Sequence, residues 1–329
     1  MSGRSFADSF ADTIHDELSR CVMFVPVSDS EAEERAWLDC DLASLAENRL
    51  GDLTHPGKLD DRRRAEWRAR ATDGCGYTLK ARNEFDRCYW ILDAGIRAGT
   101  LALATSTFGG MTLRLSSFYI FPERRGHGLG VNALATVEHI LARHDLGVRL
   151  ETSWCWQQAV RFYLARRMWV RMWKHDLVFC WDPSTPAHRI DVRADTATLS
   201  VDGEKDTILL ARAHRRGNTL ELPEQDASLE QTKNLGEAPW HAQGTLSLAI
   251  ALAGWPLVRS PQYWEKNYWA DAGPPESLAY KIMVWEAWNR KHGWLVETPR
   301  IAGLEYPSWD DFEARWKAQR ETHERESRS

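Results

Sequence analysis

A run of glycines beside an arginine, Arg125-Gly-His-Gly-Leu-Gly130, contains the residue types that bind phosphate. The apolar segment 118–121 precedes this run, and residues 131–144 follow it with apolar side chains near the helical period. A glycine turn lets backbone N–H groups converge, and the N-terminus of the following helix adds a partial positive charge. The sequence therefore predicts a cradle for an anionic, phosphate-bearing ligand at this turn.

The spacing of the glycines excludes two common phosphate-binding loops. A Walker loop needs Lys and then Ser or Thr directly after its last glycine, whereas Val131 follows Gly130 here. A dinucleotide-binding turn needs a third glycine at the position that Val131 occupies. The remaining pattern, Arg125-x-x-Gly128-x-Gly130, resembles the pyrophosphate loop of the GNAT acetyltransferase superfamily, in which this loop holds coenzyme A.

A second motif downstream extends the resemblance. Ala159, Phe162 and Tyr163 match, in residue type and spacing, a helix that members of the family carry after the next strand. Trp156 stands where the family usually has Asn, and Arg167-Met168 stands where it usually has Gly-Phe. The resemblance covers about residues 21–183 and implies an α/β (α+β) fold with a mixed, mostly antiparallel sheet flanked by helices.

The periodicity of the chain predicts elements in the order that this fold requires. The predicted strands are 21–27, 88–93, 99–107, 113–121, 147–153 and 168–181, and the predicted helices are 30–50, 60–71, 131–144 and 157–167.

Length and composition predict a second domain after the proline-containing segment 182–186. The chain has 329 residues, more than one ordinary domain, and all 6 cysteines precede this segment. Beyond it the sequence alternates as strands do and then becomes helical and rich in tryptophan. We expect an N-terminal segment (1–20), a GNAT-like acyl-CoA-binding domain (21–183), a C-terminal Trp-rich α+β domain of unrecognised fold (184–317) and a charged tail (318–329).

Charge and composition argue against several classes of function. The net charge is −5 and neither half is strongly basic, which disfavours a general nucleic-acid binder. No apolar run is long enough to span a membrane, the N-terminus is acidic and unlike a secretion signal, and no Cys/His cluster has zinc spacing. We expect a soluble, cytoplasmic protein without a metal site. A basic run is expected on a solvated face: Arg161, Arg166, Arg167, Arg171, Lys174 and His175.

The resemblance also implies which residues contact the coenzyme. Backbone groups of the strand before the loop would bind the pantetheine arm and the thioester, from Tyr119, Ile120 and Phe121. The loop would wrap the pyrophosphate through Arg125, Gly126, His127, Gly128, Leu129 and Gly130, with Arg125 adding charge or shaping the loop. Tyr163 stands in the position of the acid that protonates the departing thiolate. Outside this motif, a tyrosine at that position of a helix would be interpreted as a core aromatic.

The general base is not identified by the resemblance. Many members of the family carry a glutamate on the strand 113–121, and the equivalent position here is Arg114, on a strand without a carboxylate. Candidates from other elements are Glu151, Asp93, Glu84 and Asp86, although a solvated surface carboxylate is the ordinary interpretation of each. Deprotonation through ordered water and loss of catalysis stay open as alternatives.

Two functions compete at this point. The first is an N-acetyltransferase that uses acetyl-CoA, or another acyl-CoA, and acylates a primary amine of a small molecule or a protein by direct attack in a ternary complex. The C-terminal domain would then select the acceptor or mediate oligomerisation. The second is a non-catalytic GNAT-fold module that binds coenzyme A or protein partners. The missing strand carboxylate favours the second function, and the intact Arg125–Gly130 loop favours the first.

Overall fold

The computed structural model describes the chain in two compact units, which are Met1–Ala187 with Thr232–His241 and His188–Gln231 with Ala242–Ser329. The predicted helix at 60–71 lies outside the described residues. The described residues are 6–45, 86–107, 112–152, 156–173, 177–203, 206–216, 219–225, 232, 235–255, 257–258, 278–280, 282–283, 286–287, 290, 296–297 and 303–326.

The first unit is built on a seven-stranded sheet. The strand order is β1-β2-β3-β4-β5-β7-β6, the β4–β5 pair is parallel, and the other pairs are antiparallel. The predicted mixed, mostly antiparallel sheet flanked by helices is therefore confirmed. Its elements are α1 (Phe6–Arg20), β1 (Phe24–Pro26), α2 (Glu31–Leu45), β2 (Asp86–Asp93), β3 (Ile96–Thr107), β4 (Thr112–Ile120), α3 (Leu129–Ala142), β5 (Gly147–Thr152), α4 (Gln157–Ala165), β6 (Trp169–Trp173) and β7 (Leu177–Trp181).

Neighbouring residues of β2 show how helices cover the two faces of this sheet. Tyr89 is hydrogen-bonded through its hydroxyl to His15 of α1, whereas Cys88 and Trp90 pack in one buried cluster with Trp37 of α2. Because successive side chains of a strand point to opposite faces, α1 and α2 lie on opposite sides of the sheet. The face covered by α2 is called the α2 face below.

Two elements differ from the sequence-based expectation. Helix α1 forms where only an N-terminal segment was expected, because Ile14 and Leu18, one helical turn apart, are fully buried against the sheet. The segment 168–181 forms two antiparallel strands, β6 and β7, instead of one. The edge of the sheet therefore carries one more strand than the expected element order contained.

Strands β4 and β5 are paired over only part of their length. Their register runs from Thr112–Gly147 to Leu115–Leu150, although β4 continues to Ile120. A β-bulge at Ser116 coincides with the end of this pairing, because Leu103 of β3 lies opposite Leu115 while Ala102 lies opposite Ser117. A bulge bends its strand and increases the local twist. The C-terminal half of β4 is therefore not paired with β5.

The second unit contains an antiparallel four-stranded sheet in the order β11-β10-β9-β8. Alternate residues Ala197, Leu199 and Val201 of β9 are fully buried, which places its core on one face of this sheet. No helix among the described residues is both long and apolar enough to cross a membrane. The elements after β7 are β8 (His188–Val192), β9 (Thr196–Asp202), β10 (Thr207–Arg216), β11 (Thr219–Gln225), α5 (Ala238–Leu252), β12 (Leu257–Val258), β13 (Val296–Glu297) and α6 (Trp309–Glu326).

Candidate functional site

The glycine loop between β4 and α3 has the backbone geometry of an anion cradle. After a short 3-10 turn at Pro122–Arg124, Gly126 and Gly128 adopt φ values of 82° and 80°. These left-handed conformations cost other residues about 1–2 kcal/mol, which explains why glycine occupies both positions. Within the described part of the chain, a Cβ atom added to either glycine would meet no atom within 4 Å. The space beside both glycines is therefore open to a ligand.

The N-terminus of α3 supplies hydrogen-bond donors to this space. Gly128 is the N-cap, no side chain caps the helix, and the first N–H that bonds back to Gly128 is that of Asn132, at 3.0 Å. The geometry of a helix leaves the N–H groups of Leu129, Gly130 and Val131 without an intrahelical acceptor. The dipole of this 14-residue helix favours an anion at the same end.

Arg125 connects the loop to its neighbours. Its Nε donates a hydrogen bond of 2.9 Å to the carbonyl oxygen of Ile120. Its guanidinium carbon lies 5.1 Å from the centre of the Tyr119 ring and 6.0 Å from the Trp156 ring. Of the two roles expected for Arg125, this geometry favours the shaping of the loop. Trp156, which immediately precedes α4, contacts the loop through this arginine.

The three residues at the end of β4 differ in what they can offer a ligand. Tyr119 is only 4% exposed, and its ring packs edge-on against that of Phe121 at 6.0 Å. The N–H of Phe121 donates to the carbonyl oxygen of Ala98 at 2.9 Å, and the carbonyl of Ile120 accepts from Arg125. The Phe121 N–H and the Ile120 carbonyl therefore already form hydrogen bonds within the protein. A ligand would have to contact other atoms of this segment.

Among the remaining residues of the predicted cradle, His127 is exposed, whereas the Leu129 side chain is buried in the core. A Cβ atom on Gly130 would lie 3.4 Å from the side chain of Ile120 and 3.6 Å from that of Phe162. Gly130 therefore allows α3 to start close to both β4 and α4.

Tyr163 lies on α4 close to this junction. It is 6% exposed, and its ring lies 5.2 Å from that of Phe162 and 5.4 Å from that of Phe179. Phe162 in turn stacks on Phe118 of β4 at 6.0 Å. Burial raises the pKa of Tyr163 well above its ordinary value, which keeps the phenol protonated and makes it a weaker acid. A protonated phenol at this position is chemically able to donate a proton.

The structure distinguishes between the carboxylates considered as a base. The Glu151 and Asp93 side chains are 48% and 46% exposed and form ion pairs with Arg149 and Arg124. Glu84 lies outside the described residues. The side chain of Asp86 is 4% exposed and accepts a hydrogen bond of 2.8 Å from the Ser116 hydroxyl at the bulge of β4.

Sequence reasoning missed the two serines of this bulge. Ser117 donates a hydrogen bond of 2.7 Å to Asp41 of α2, as Ser116 does to Asp86. The partners are separated by 76 and 30 residues, so no local pattern could have indicated either pair. Within the described residues, no group of three or more His, Cys, Asp or Glu side chains is arranged to hold a metal ion.

A model of a known protein family matches part of the chain. Residues 52–168 match the model of the acetyltransferase (GNAT) family. No curated protein matches the sequence.

Several solved structures are similar to part of the chain. The PaiA N-acetyltransferase of Thermoplasma acidophilum, solved with coenzyme A, is 12% identical over 47% of this chain and 96% of its own, with a TM-score of 0.36. A GNAT-family acetyltransferase of Staphylococcus aureus is 13% identical over 49% of this chain and 98% of its own, with a TM-score of 0.32. The spermidine N-acetyltransferase of Vibrio cholerae, solved with CoA and spermine, is 12% identical over 50% of this chain and 98% of its own, with a TM-score of 0.32.

Proposed function

We propose that the protein transfers an acetyl group from acetyl-CoA to a primary amine, because residues 52–168 match the model of the acetyltransferase (GNAT) family. The observation that carries the proposal is the cradle between β4 and α3. Its two left-handed glycines border open space, and an uncapped helix N-terminus directs N–H groups toward it. These features fit the pyrophosphate of a coenzyme.

The end of the β4–β5 pairing supports a binding position for the acyl donor along β4. An extended ligand arm can add to the edge of a strand through main-chain hydrogen bonds. The segment 116–120 of β4 lies beyond the last β4–β5 pair and leads directly to the cradle. With its pyrophosphate in the cradle, acetyl-CoA would lay its pantetheine arm along this segment and present the thioester between the two strands.

The chemistry needs a neutral amine, stabilisation of the carbonyl oxygen and a proton for the departing thiolate. The amine nitrogen attacks the thioester carbon, a C–N bond forms and the C–S bond breaks. A backbone N–H of β4 would donate to the carbonyl oxygen, and Tyr163 would protonate the sulfur. The position of Tyr163 supports this role, because it lies on α4 beside Phe162, whose ring stacks on Phe118 of β4.

The domain after residue 183 would select the acceptor amine, which is a small molecule or an exposed amino group of a protein. A non-catalytic module remains the second candidate, since β4 carries no carboxylate. The buried Asp86 beside β4 weakens that argument, because a carboxylate from another element lies where β4 lacks one.

Calorimetric titration with acetyl-CoA tests the cradle. The parent protein is compared with Gly128→Trp, which fills the open space, and with Gly254→Trp as a matched control. Gly254 has a similar φ of 86° and open space at its Cβ position, but it lies in the second unit. We expect the parent and the control to bind and Gly128→Trp to lose binding. A folded parent that does not bind acetyl-CoA would refute the proposal.

Turnover is then tested by thiol release with a panel of primary amines, from polyamines and amino acids to peptides with a free N-terminus. Binding without transfer to any amine would favour the non-catalytic module over the transferase.

A further inference from the structure

The bulge of β4 brings a hydroxyl and a buried carboxylate together at the end of the β4–β5 pairing. Ser116 is the extra residue of the bulge, and its hydroxyl donates 2.8 Å to Oδ2 of Asp86 on β2. We propose that Ser116 and Asp86 form the proton-accepting pair for the acceptor amine, with Ser116 contacting the amine and Asp86 acting through it. This inference rests on the proposed transferase function.

Exposure distinguishes this pair from its neighbour. Ser117 and Asp41 form a similar hydrogen bond of 2.7 Å, but they are only 7% and 2% exposed. Ser116 is partly exposed, while the side chain of Asp86 behind it is 4% exposed. A proton can therefore enter at the Ser116 hydroxyl and reach Asp86, whereas Ser117 is closed to a ligand. Ser117 and Asp41 thus serve to hold α2 against the sheet.

The location of the pair agrees with the proposed path of the acyl donor. Asp86 is two residues before Cys88 on β2 and so lies on the α2 face. Ser116 directly follows the last β4–β5 pair, Leu115–Leu150, and precedes Tyr119 by three residues. Three residues of a strand span about 10 Å. A hydrogen bond from the amine to Ser116, the approach of the amine nitrogen to the thioester carbon and a hydrogen bond from the thioester oxygen to β4 together fill about this distance.

Each turnover with a protonated acceptor releases one proton to solvent. The ammonium group of the acceptor gives one proton to the Ser116 oxygen as the Ser116 hydroxyl proton passes to Oδ2 of Asp86, and a neutral amine results. After C–N bond formation the nitrogen gives its second proton to solvent, Tyr163 protonates the thiolate, and the resulting phenolate takes a proton back from solvent. The proton on Asp86 returns to solvent. Arg114 lies 3.5 Å from Oδ2 of Asp86, so a positive charge adjoins the carboxylate throughout.

The test measures kcat/KM for acetyl transfer to a series of primary amines of decreasing pKa at one pH. The variants are Ser116→Ala and Asp86→Asn in the full chain, with Ser117→Ala as the matched control from the same bulge. For amines that are protonated at the assay pH, we expect Ser116→Ala and Asp86→Asn to lower kcat/KM about 100-fold, the usual contribution of a general base. For amines that are already neutral, the loss should shrink to about threefold or less, because no ammonium proton has to be removed.

Several outcomes would overturn the inference. A loss that is equal for all amines would mean a structural role, and an unchanged kcat/KM in Ser116→Ala would mean no role. If only Ser117→Ala showed a loss of kcat/KM that depends on amine pKa, the base would be Asp41. Because Asp86 is buried, thermal unfolding of each variant is measured in parallel, and the decision rests on Ser116→Ala if Asp86→Asn does not fold. Absence of transfer by the parent would refute the proposed function itself, whereas transfer that Ser116→Ala leaves intact would refute only the base.

Discussion

The side chain of Arg125 donates a hydrogen bond to the carbonyl oxygen of Ile120, and the rings of Tyr119 and Trp156 lie near its guanidinium. One arginine therefore links the end of β4, the glycine loop and the start of α4. Because the loop is shaped by this contact, the direction of its N–H groups depends on a planar guanidinium and not on positive charge alone.

Arg125→Lys should consequently weaken binding of acetyl-CoA although the charge is retained. The ammonium of lysine has no planar surface to place against the two rings. Losing one hydrogen bond and weakening the cation–π contacts should raise Kd about tenfold, corresponding to about 1–2 kcal/mol. Calorimetry measures the change. Arg124→Lys is the control, because Arg124 forms a partly exposed ion pair of 3.6 Å with Asp93. The Kd of this variant for acetyl-CoA should stay within about twofold of the parent value. Equal effects of the two substitutions would contradict the role assigned to Arg125.

Tyr163→Phe should separate catalysis from binding. The substitution removes only the hydroxyl, so the ring contacts with Phe162 and Phe179 persist. If Tyr163 protonates the thiolate, kcat should fall about 100-fold while the Kd for acetyl-CoA changes little. Stopped-flow thiol release measures kcat, and calorimetry measures the Kd for acetyl-CoA. An unchanged kcat would instead indicate that Tyr163 is a core aromatic.

His15 should make the stability of the protein depend on pH. Its ring accepts from the Tyr89 hydroxyl at 2.7 Å and donates to the Ala104 carbonyl at 3.1 Å, and burial lowers its pKa from 6.5 to about 4. Between these values the unfolded chain binds a proton that the folded chain does not, so stability falls as pH decreases from 6.5 toward 4. The slope contributed by this group is at most about 1.4 kcal/mol per pH unit.

The variant His15→Gln should flatten this slope, because glutamine does not titrate, while lowering stability at pH 7 by about 1–3 kcal/mol. Urea unfolding at several pH values between 4.5 and 7.5 measures both effects. His241 retains part of the slope in the variant, since burial also lowers its pKa. Identical slopes for parent and variant would show that His15 does not remain neutral in the folded state.

The predicted cradle illustrates which features a sequence can indicate by itself. The glycine loop and α3 consist of consecutive residues, so their spacing and periodicity are visible in the chain. The predicted helix 131–144 and strand 147–153 agree with α3 and β5 to within two residues at each end. Helix α1 was missed although Phe6, Phe10, Ile14 and Leu18 recur at helical spacing, a signal that the sequence does contain.

The basic run shows where the sequence was misleading. Arg166 was expected on a solvated face, but its side chain is 24% exposed and donates to Glu138 of α3, whose side chain is 8% exposed. The pair joins two helices through residues that are 28 positions apart. Nothing in a charged segment indicates which of its members will find a buried partner.

The sequence alone determined the class of fold and the position of the glycine loop, because periodicity is a local property and the left-handed turns at Gly126 and Gly128 require glycine. Only the tertiary structure decided which carboxylate lies behind β4 and which ring contacts Arg125. The register of β3 on β4 skips one residue at Ser116 and turns that hydroxyl toward Asp86 on β2. Contacts of this kind depend on strand register, which is set by the packing of the whole sheet and not by neighbouring residues.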